Sequence, residues 1–140
     1  MPTQQKINIA IAGLGFGAEF VPIYLDHPDV ASVTICDADG ARLQVVGERF
    51  GISRRASDVS ELIDMPEIDA VHLVTGIPDH SRMAVQLLNA GKHCACTVPA
   101  ATSLDDLSAL VAAQKRSGKN YMMMETAVYT RQFLFARTLL

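Results

Sequence analysis

The chain has 140 residues, of which 49% are hydrophobic and 19% are charged. This composition predicts one folded domain with a proper core and excludes a disordered chain. The net charge of -3 argues against a surface that binds nucleic acid or an anionic membrane. No apolar run approaches the roughly 20 residues of a membrane helix.

Apolar runs of strand length alternate with helical patterns along the chain. Residues 7–12 are almost all apolar, as in a strand buried on both faces. Further strands are predicted at 32–36, near Arg55, and at 70–75, 93–97 and 121–124, with helices at 17–26, 41–50, 59–65, 79–90 and 103–118. This alternation predicts an α/β fold, a doubly wound parallel sheet of the Rossmann type with strand order 3-2-1-4-5-6.

The helix predicted at 103–118 has clear signals at both ends. Ser103 is followed three residues later by Asp106, as in a capping box, and Gly118 is placed to end the helix. Its apolar face is expected to comprise Leu104, Leu107, Leu110 and Val111. The three methionines at 122–124 are expected to pack within the last strand.

The three cysteines are too few for a disulfide framework. Cys94 and Cys96 share one face of a predicted strand, where buried free thiols are expected. No metal site is predicted, because a zinc site would need further ligands at suitable spacing. This cysteine usage favours a cytoplasmic location, since the cytoplasm is reducing.

The first strand runs directly into the sequence Gly-Leu-Gly-Phe-Gly-Ala at 13–18, a form of the dinucleotide fingerprint Gly-x-Gly-x-x-Ala. Gly13 allows the tight turn, and Gly15 lets a pyrophosphate approach the backbone. The N–H groups of Phe16 and Gly17 are expected to face the phosphates. Ala18 is small enough for the helix and the strand to pack closely.

Asp37 follows the second strand at about the 20-residue spacing expected of the acid that binds the adenosine ribose. Its carboxylate accepts hydrogen bonds from the ribose diol and repels a 2′-phosphate. The cofactor prediction is therefore NAD, with NADP disfavoured. The alternative is a plain turn residue in the sequence Asp-Ala-Asp-Gly.

Four stretches of the sequence resemble a known family, namely the glycine turn at 13–18, Cys-Asp-Ala-Asp at 36–39, Val-Thr-Gly-Ile-Pro-Asp-His at 74–80 and Ala-Gly-Lys-His at 90–93. Together they resemble the N-terminal domain of the Gfo/Idh/MocA oxidoreductases. The resemblance implies a two-domain protein, in which residues 1–125 form the dinucleotide-binding domain. Residues 126–140 then begin a second domain or a linker helix, whose apolar side chains at 129–140 are expected to be exposed or to pack on that domain. A small-molecule substrate, and a homo-oligomer formed through the second domain, are also implied.

The same resemblance implies three further cofactor-binding positions. Thr75 belongs to the loop that lines the cofactor in the family, with helix capping as the alternative. His80 matches a family histidine, and anchoring of the helix start is the alternative role. Thr97 stands where the family has glutamate, so it brings a hydrogen-bonding group without a charge.

The main departure from the family pattern is the sequence Thr97-Val98-Pro99, where the family has Glu-Lys-Pro. The family lysine lies near nicotinamide and substrate and often assists proton transfer, which Val98 cannot do. No catalytic residue is therefore assigned. The proline is retained, and a cis peptide bond is expected there by analogy with the family.

The implied function is an NAD-dependent dehydrogenase that acts on a sugar, a polyol or a related hydroxyl compound. This chain would be its cofactor-binding domain and would be inactive alone. Two alternatives stay open, namely lyase, epimerase or glycosidase chemistry that uses NAD transiently, and a regulator that binds NAD without catalysis. Loss of the lysine at position 98 favours the regulator.

Overall fold

The protein is described by a computed structural model that covers residues 6–139. Its centre is a six-stranded sheet of β1 (Ile7–Ala12), β2 (Val30–Cys36), β3 (Arg55–Ala56), β4 (Ala70–Leu73), β5 (His93–Thr97) and β6 (Tyr121–Met124). The order β3-β2-β1-β4-β5-β6, with all neighbours parallel, confirms the predicted topology. The order reverses between β1 and β4, which is where sheets of this type bind ligands.

Helices cover both faces of this sheet. They are α1 (Leu14–Gly17), α2 (Val21–Asp26), α3 (Gly40–Phe50), α4 (Val59–Asp64), α5 (His80–Asn89), α6 (Leu104–Ser117) and α7 (Arg131–Arg137), with short 3-10 turns at Ala18–Phe20, Ile77–Asp79 and Thr126–Tyr129. The predicted helix at 17–26 is therefore wrong in its start and its continuity. Helical structure begins at Leu14, and a 3-10 turn precedes α2. Pro22 lies in the first turn of α2, where the backbone N–H that proline lacks would have no partner within the helix.

Alternate residues of the strands supply two separate apolar cores. Val71 and Leu73 of β4 belong to the core that α4, α5 and α6 complete. His72 pairs with Ile11, which belongs to the core on the opposite face, formed with α1, α2 and α3. Such burial on both faces explains why the central strands are nearly continuous apolar runs.

His72 lies fully buried in the middle of the sheet. Its Nδ1 is 3.1 Å from the hydroxyl of Tyr24, and the ring of Phe20 packs against it at a centroid distance of 4.7 Å. Burial lowers the pKa of His72 to about 4. The residue is therefore a neutral core histidine, as its place within a strand indicated.

The predicted ends of α6 agree with the structure. The Oγ of Ser103 accepts a hydrogen bond from the N–H of Asp106 at 3.1 Å, which caps α6. Gly118 ends α6 with a φ of 64°, in the left-handed conformation that glycine adopts without strain. Cys94 and Cys96 are buried on one face of β5, as predicted.

The predicted apolar faces at the edge of the sheet are wrong in part. On α6 the buried positions are Leu110 and Ala113. The side chains that are exposed instead are Leu104, Leu107 and Val111 on α6 and Met122 and Met123 on β6. The reason is position, because β6 is the outermost strand of the described sheet and no further layer of residues 6–139 lies beyond it.

The segment at 129–140 exposes apolar side chains, as expected. Phe133, Phe135 and Leu139 are 43%, 67% and 70% exposed, while Leu140 lies outside the described residues. Within residues 6–139, none of the helices combines the length and the apolar character needed to span a bilayer.

Candidate functional site

The turn between β1 and α1 can be built only with glycine at position 13. Gly13 has a φ of 90°, a conformation that L side chains rarely adopt. A Cβ at this position would also collide with the backbone carbonyl of Val74. The turn is therefore held close to the end of β4, at the point where the strand order reverses.

The next two glycines have different roles. No described atom lies within 4 Å of a Cβ built on Gly15, so the fold itself does not require glycine there. A Cβ on Gly17 would come within 3.1 Å of Ile11 Cγ2 on β1. Close packing of helix on strand therefore depends on Gly17. Ala18 is partly buried against the same core, so Gly17 shares with it the role that was predicted for Ala18 alone.

Asp37 lies directly after β2 and is 7% exposed. Its Oδ2 accepts a hydrogen bond from the N–H of Leu14 at 2.7 Å, and its Oδ1 accepts one from the N–H of Asp39 at 2.8 Å. Burial by itself raises the pKa of the Asp37 carboxyl. The two backbone hydrogen bonds and the neighbouring Arg42 guanidinium outweigh burial, so the pKa lies below its ordinary value and the group is ionised at neutral pH.

A first cleft of about 460 Å³ opens above the carboxyl ends of β1, β2 and β4. Its polar and glycine lining includes Gly13, Gly15, Asp37, Arg42, Ser57, Asp58, Thr75, Gly76 and Asp79. The Oγ1 of Thr75 is buried and has no hydrogen-bond partner within residues 6–139. A buried hydroxyl without a partner is costly, so the hydrogen-bonding capacity of Thr75 is unused within the described fold.

A second cleft of about 320 Å³ adjoins the first and shares Val74 and Thr75 with it. The rest of its lining is largely apolar and comprises Phe16, Phe20, Ile77, His80, Thr97, Val98, Met124 and Thr126. The peptide bond from Val98 to Pro99 is cis, as expected, and the Val98 side chain is 39% exposed. Two adjoining clefts, one with a carboxylate and one apolar, match the two halves of a dinucleotide.

His80 forms part of the wall of this second cleft. Its Nδ1 lies 2.8 Å from the carbonyl oxygen of Pro99, and its Nε2 lies 3.0 Å from that of Thr75. Both ring nitrogens of the buried His80 face these carbonyl oxygens, and a neutral imidazole donates a hydrogen bond to one of them. His80 therefore lies between two cleft-lining loops and does not turn a nitrogen toward the cleft. The geometry favours the anchoring role for His80 over direct cofactor contact.

Comparison with known proteins gives the family. The model of the Gfo/Idh/MocA proteins, an oxidoreductase family with an NAD-binding Rossmann fold, matches residues 7–125. This chain belongs to the Gfo/Idh/MocA family. The match includes β1 to β6, so the fold and the NAD-binding class of this Gfo/Idh/MocA domain are shared with the family.

Individual relatives agree with that assignment. D-apiose dehydrogenase of Paraburkholderia graminis is 32% identical over 88% of this chain and 33% of its own length. Glycosyl hydrolase family 109 protein 1 of Bacteroides thetaiotaomicron is 29% identical over 91% of this chain and 30% of its own length. The chain thus spans about a third of the length of these curated relatives.

Among solved structures, an oxidoreductase from Agrobacterium radiobacter, in complex with NAD+, L-tartaric acid and magnesium, superposes with a TM-score of 0.88. It is 25% identical, and the match covers 96% of this chain and 40% of that one. The similarity extends beyond the fingerprint to nearly the entire Gfo/Idh/MocA domain.

Sequence reasoning missed several residues of the first cleft, chiefly Arg42, Ser57 and Asp58. Arg42 lies five positions after Asp37, in the first turns of α3. This short separation from a predicted ribose-binding residue could have identified Arg42 from the sequence. Ser57 and Asp58 follow β3, which is only two residues long. They reach the cleft because β3 ends at the same edge of the sheet as β2, which the sequence of so short a strand does not reveal.

Proposed function

We propose that this chain is the dinucleotide-binding domain of an NAD-dependent oxidoreductase, with NAD extended across the two adjoining clefts. The observation that carries this proposal is the juxtaposition of the Asp37 carboxylate, the open space at Gly15 and the unpartnered Thr75 hydroxyl in one cleft. The space at Gly15 and the Thr75 hydroxyl have no other use within the described fold. Together with the ionised Asp37 carboxylate, they suit a cofactor with a ribose and a pyrophosphate.

In this proposal, each half of the cofactor meets a different set of residues. Asp37 accepts hydrogen bonds from the adenosine ribose, and the turn at Gly13 and Gly15 receives the pyrophosphate with the N–H groups of Phe16 and Gly17. Thr75 donates its hydroxyl at the junction of the two clefts. The nicotinamide half then occupies the second cleft beside Thr97 and Val98.

The nicotinamide, when bound, supplies the chemistry of hydride transfer. This chain positions the cofactor and keeps water away from it. Val98 carries no ionisable group, and both nitrogens of His80 face backbone carbonyl oxygens and not the cleft. A group outside the second cleft must therefore move the proton that accompanies hydride transfer to or from a hydroxyl-bearing carbon. We place that group in a second domain, for which residues 126–140 would be the beginning.

We propose a sugar, a polyol or a related hydroxyl compound as the substrate of the whole protein. Support comes from the relative named D-apiose dehydrogenase, with which this chain shares 32% identity. Assembly into a homo-oligomer through the second domain is part of the same proposal.

A second candidate function is a hydrolytic or eliminating reaction that uses NAD transiently. The relatives named glycosyl hydrolase family 109 proteins favour it, and so does the absence of a lysine at Val98. A regulator that binds NAD without turnover is the remaining alternative. The two enzymatic candidates differ in one observable, because only a dehydrogenase reduces or oxidises NAD in a net sense during turnover.

Calorimetric titration of the purified 140-residue chain with NAD tests the proposed cofactor site. We expect saturable binding of one NAD per chain, and no change in nicotinamide absorbance when polyols are added to the chain alone. Absence of binding to a chain that circular dichroism shows to be folded overturns the proposal. Net NAD reduction by the 140-residue chain itself would contradict the assignment of proton transfer to another domain.

A further inference from the structure

Arg42 occupies the part of Asp37 that a ribose would need. Its Nη1 lies 3.2 Å from Oδ1 and 3.2 Å from Oδ2 of Asp37, between the two carboxylate oxygens. A carboxylate accepts about four hydrogen bonds. The N–H groups of Leu14 and Asp39 take one acceptor position on each oxygen, and Arg42 takes what remains.

Arg42 is also the one cationic residue among the described residues that line the first cleft. Three carboxylates, from Asp37, Asp58 and Asp79, line the same cleft. Asp79 is paired with Arg82 at 2.6 Å, whereas Arg42 is shared between Asp37 and, at 3.3 Å, Asp39. A phosphate that entered beside Asp37 would therefore meet repulsion from carboxylates and attraction from Arg42 alone.

We propose that Arg42 sets how strongly this site discriminates between NAD and NADP. It competes with the 2′- and 3′-hydroxyls of NAD for the Asp37 carboxylate, and it supplies the positive charge that faces the 2′-phosphate of NADP. This inference rests on the proposed function, since it assumes that the cleft binds a dinucleotide. The site prefers NAD, and Arg42 reduces that preference.

The exposure of Arg42 makes such an exchange feasible. The Arg42 side chain is 45% exposed, whereas that of Asp37 is 7% exposed, so the guanidinium can turn into solvent while the carboxylate stays in the cleft. A ribose can therefore displace the guanidinium from Asp37 without a large cost. The displaced guanidinium remains beside the 2′ position, because its backbone is fixed in α3.

The test is calorimetric titration of the parent chain, Arg42→Ala and Arg82→Ala with NAD and with NADP. For Arg42→Ala we expect NAD to bind about two- to fivefold more tightly, since the half-exposed guanidinium that competes for Asp37 is lost. We expect NADP to bind about tenfold more weakly or worse, since a charge-assisted Arg–phosphate contact is lost. Arg82→Ala, which removes a cation paired with another cleft carboxylate, should not tighten NAD binding.

Opposite changes for the two nucleotides in Arg42→Ala support the inference. It is overturned if NAD binding weakens or stays the same in Arg42→Ala, or if Arg82→Ala tightens NAD binding equally. Failure of the parent chain to bind either nucleotide would instead overturn the proposed function. Circular dichroism and thermal melts identify any variant that does not fold, and Arg42→Gln then replaces Arg42→Ala.

Discussion

The Asp37 carboxylate accepts a hydrogen bond from the backbone N–H of Leu14 at 2.7 Å, which ties the end of β2 to the turn that follows β1. The side chain proposed to bind the ribose thus also fixes the turn proposed to receive the pyrophosphate. Any change at Asp37 therefore acts on both parts of the first cleft.

Asp37→Ala is expected to weaken NAD binding by about tenfold or more, because hydrogen bonds to a charged group contribute about 1.5–3 kcal/mol. The parent chain should bind NAD more tightly than NADP, and the variant should narrow that difference because repulsion of the 2′-phosphate is lost. Parallel titrations with both nucleotides measure the two effects. Equal or tighter binding of NADP by the parent chain would contradict this assignment.

Gly13 and Gly15 form a matched pair that separates folding from binding. Gly13→Ala should lower the free energy of unfolding by more than about 1 kcal/mol, because the φ of 90° and the contact with Val74 both oppose a side chain. Gly15→Ala should leave the melting temperature nearly unchanged and weaken NAD binding, since its Cβ would enter the open space of the cleft.

Thermal melts and NAD titrations of both variants check this pair. A Gly15→Ala chain that binds NAD as the parent does would show that the pyrophosphate does not approach this part of the backbone. A Gly13→Ala chain of unchanged stability would contradict the steric account of the turn.

Much of this architecture was predictable because its signals are local. The glycine turn, the apolar strands and the capping residues Ser103 and Gly118 each act within a few residues, and the structure agrees with them. The faces of α6 and β6 were predicted wrongly because burial depends on what lies beyond the sheet edge. Leu104 is apolar, yet it is 81% exposed for that reason.

The candidate site likewise contains residues that local patterns predict and residues that only the tertiary structure identifies. Asp37 and the glycines follow from spacing along the chain, whereas Ser57 and Asp58 reach the cleft through the pairing of β2 with β3. The sequence identified His80 as a candidate cofactor-binding residue. Its contacts with two carbonyl oxygens, however, depend on the path of the loop at Pro99. That path is a tertiary property, which local patterns do not determine.

His72 should make stability depend on pH. Its pKa is about 4 in the folded protein and 6.5 ordinarily, so the unfolded chain binds a proton more readily than the folded one. The free energy of unfolding is therefore undiminished above pH 6.5 and falls as the pH drops toward 4, by up to about 3 kcal/mol.

Urea unfolding at a series of pH values measures this dependence. His72→Phe removes the titrating group and should flatten the curve between pH 6.5 and 4, although loss of the partner of Tyr24 lowers stability at every pH. His27→Gln is the control, because His27 is exposed and the slope should remain. An unchanged slope in His72→Phe would contradict the role of burial.

Val98→Lys restores the residue type of the family at the second cleft, and its effect on binding follows from charge. The ribose and pyrophosphate contacts are proposed to rest on Asp37, Gly13 and Gly15, so the variant should still bind dinucleotide. Oxidised nicotinamide carries a positive charge and reduced nicotinamide does not. A lysine beside it should therefore weaken NAD+ binding relative to NADH by about 1 kcal/mol or less, as expected of a half-exposed charge pair. Val98→Met is the neutral control of similar bulk, and it should leave the ratio of the two affinities unchanged.

Because general acid–base catalysis contributes about 10²–10⁴-fold, a replacement group elsewhere in the whole protein would leave little for the new lysine to add. The rate of the whole protein should then not rise in Val98→Lys, whereas a clear gain would show that the proton-transfer group has been lost without replacement.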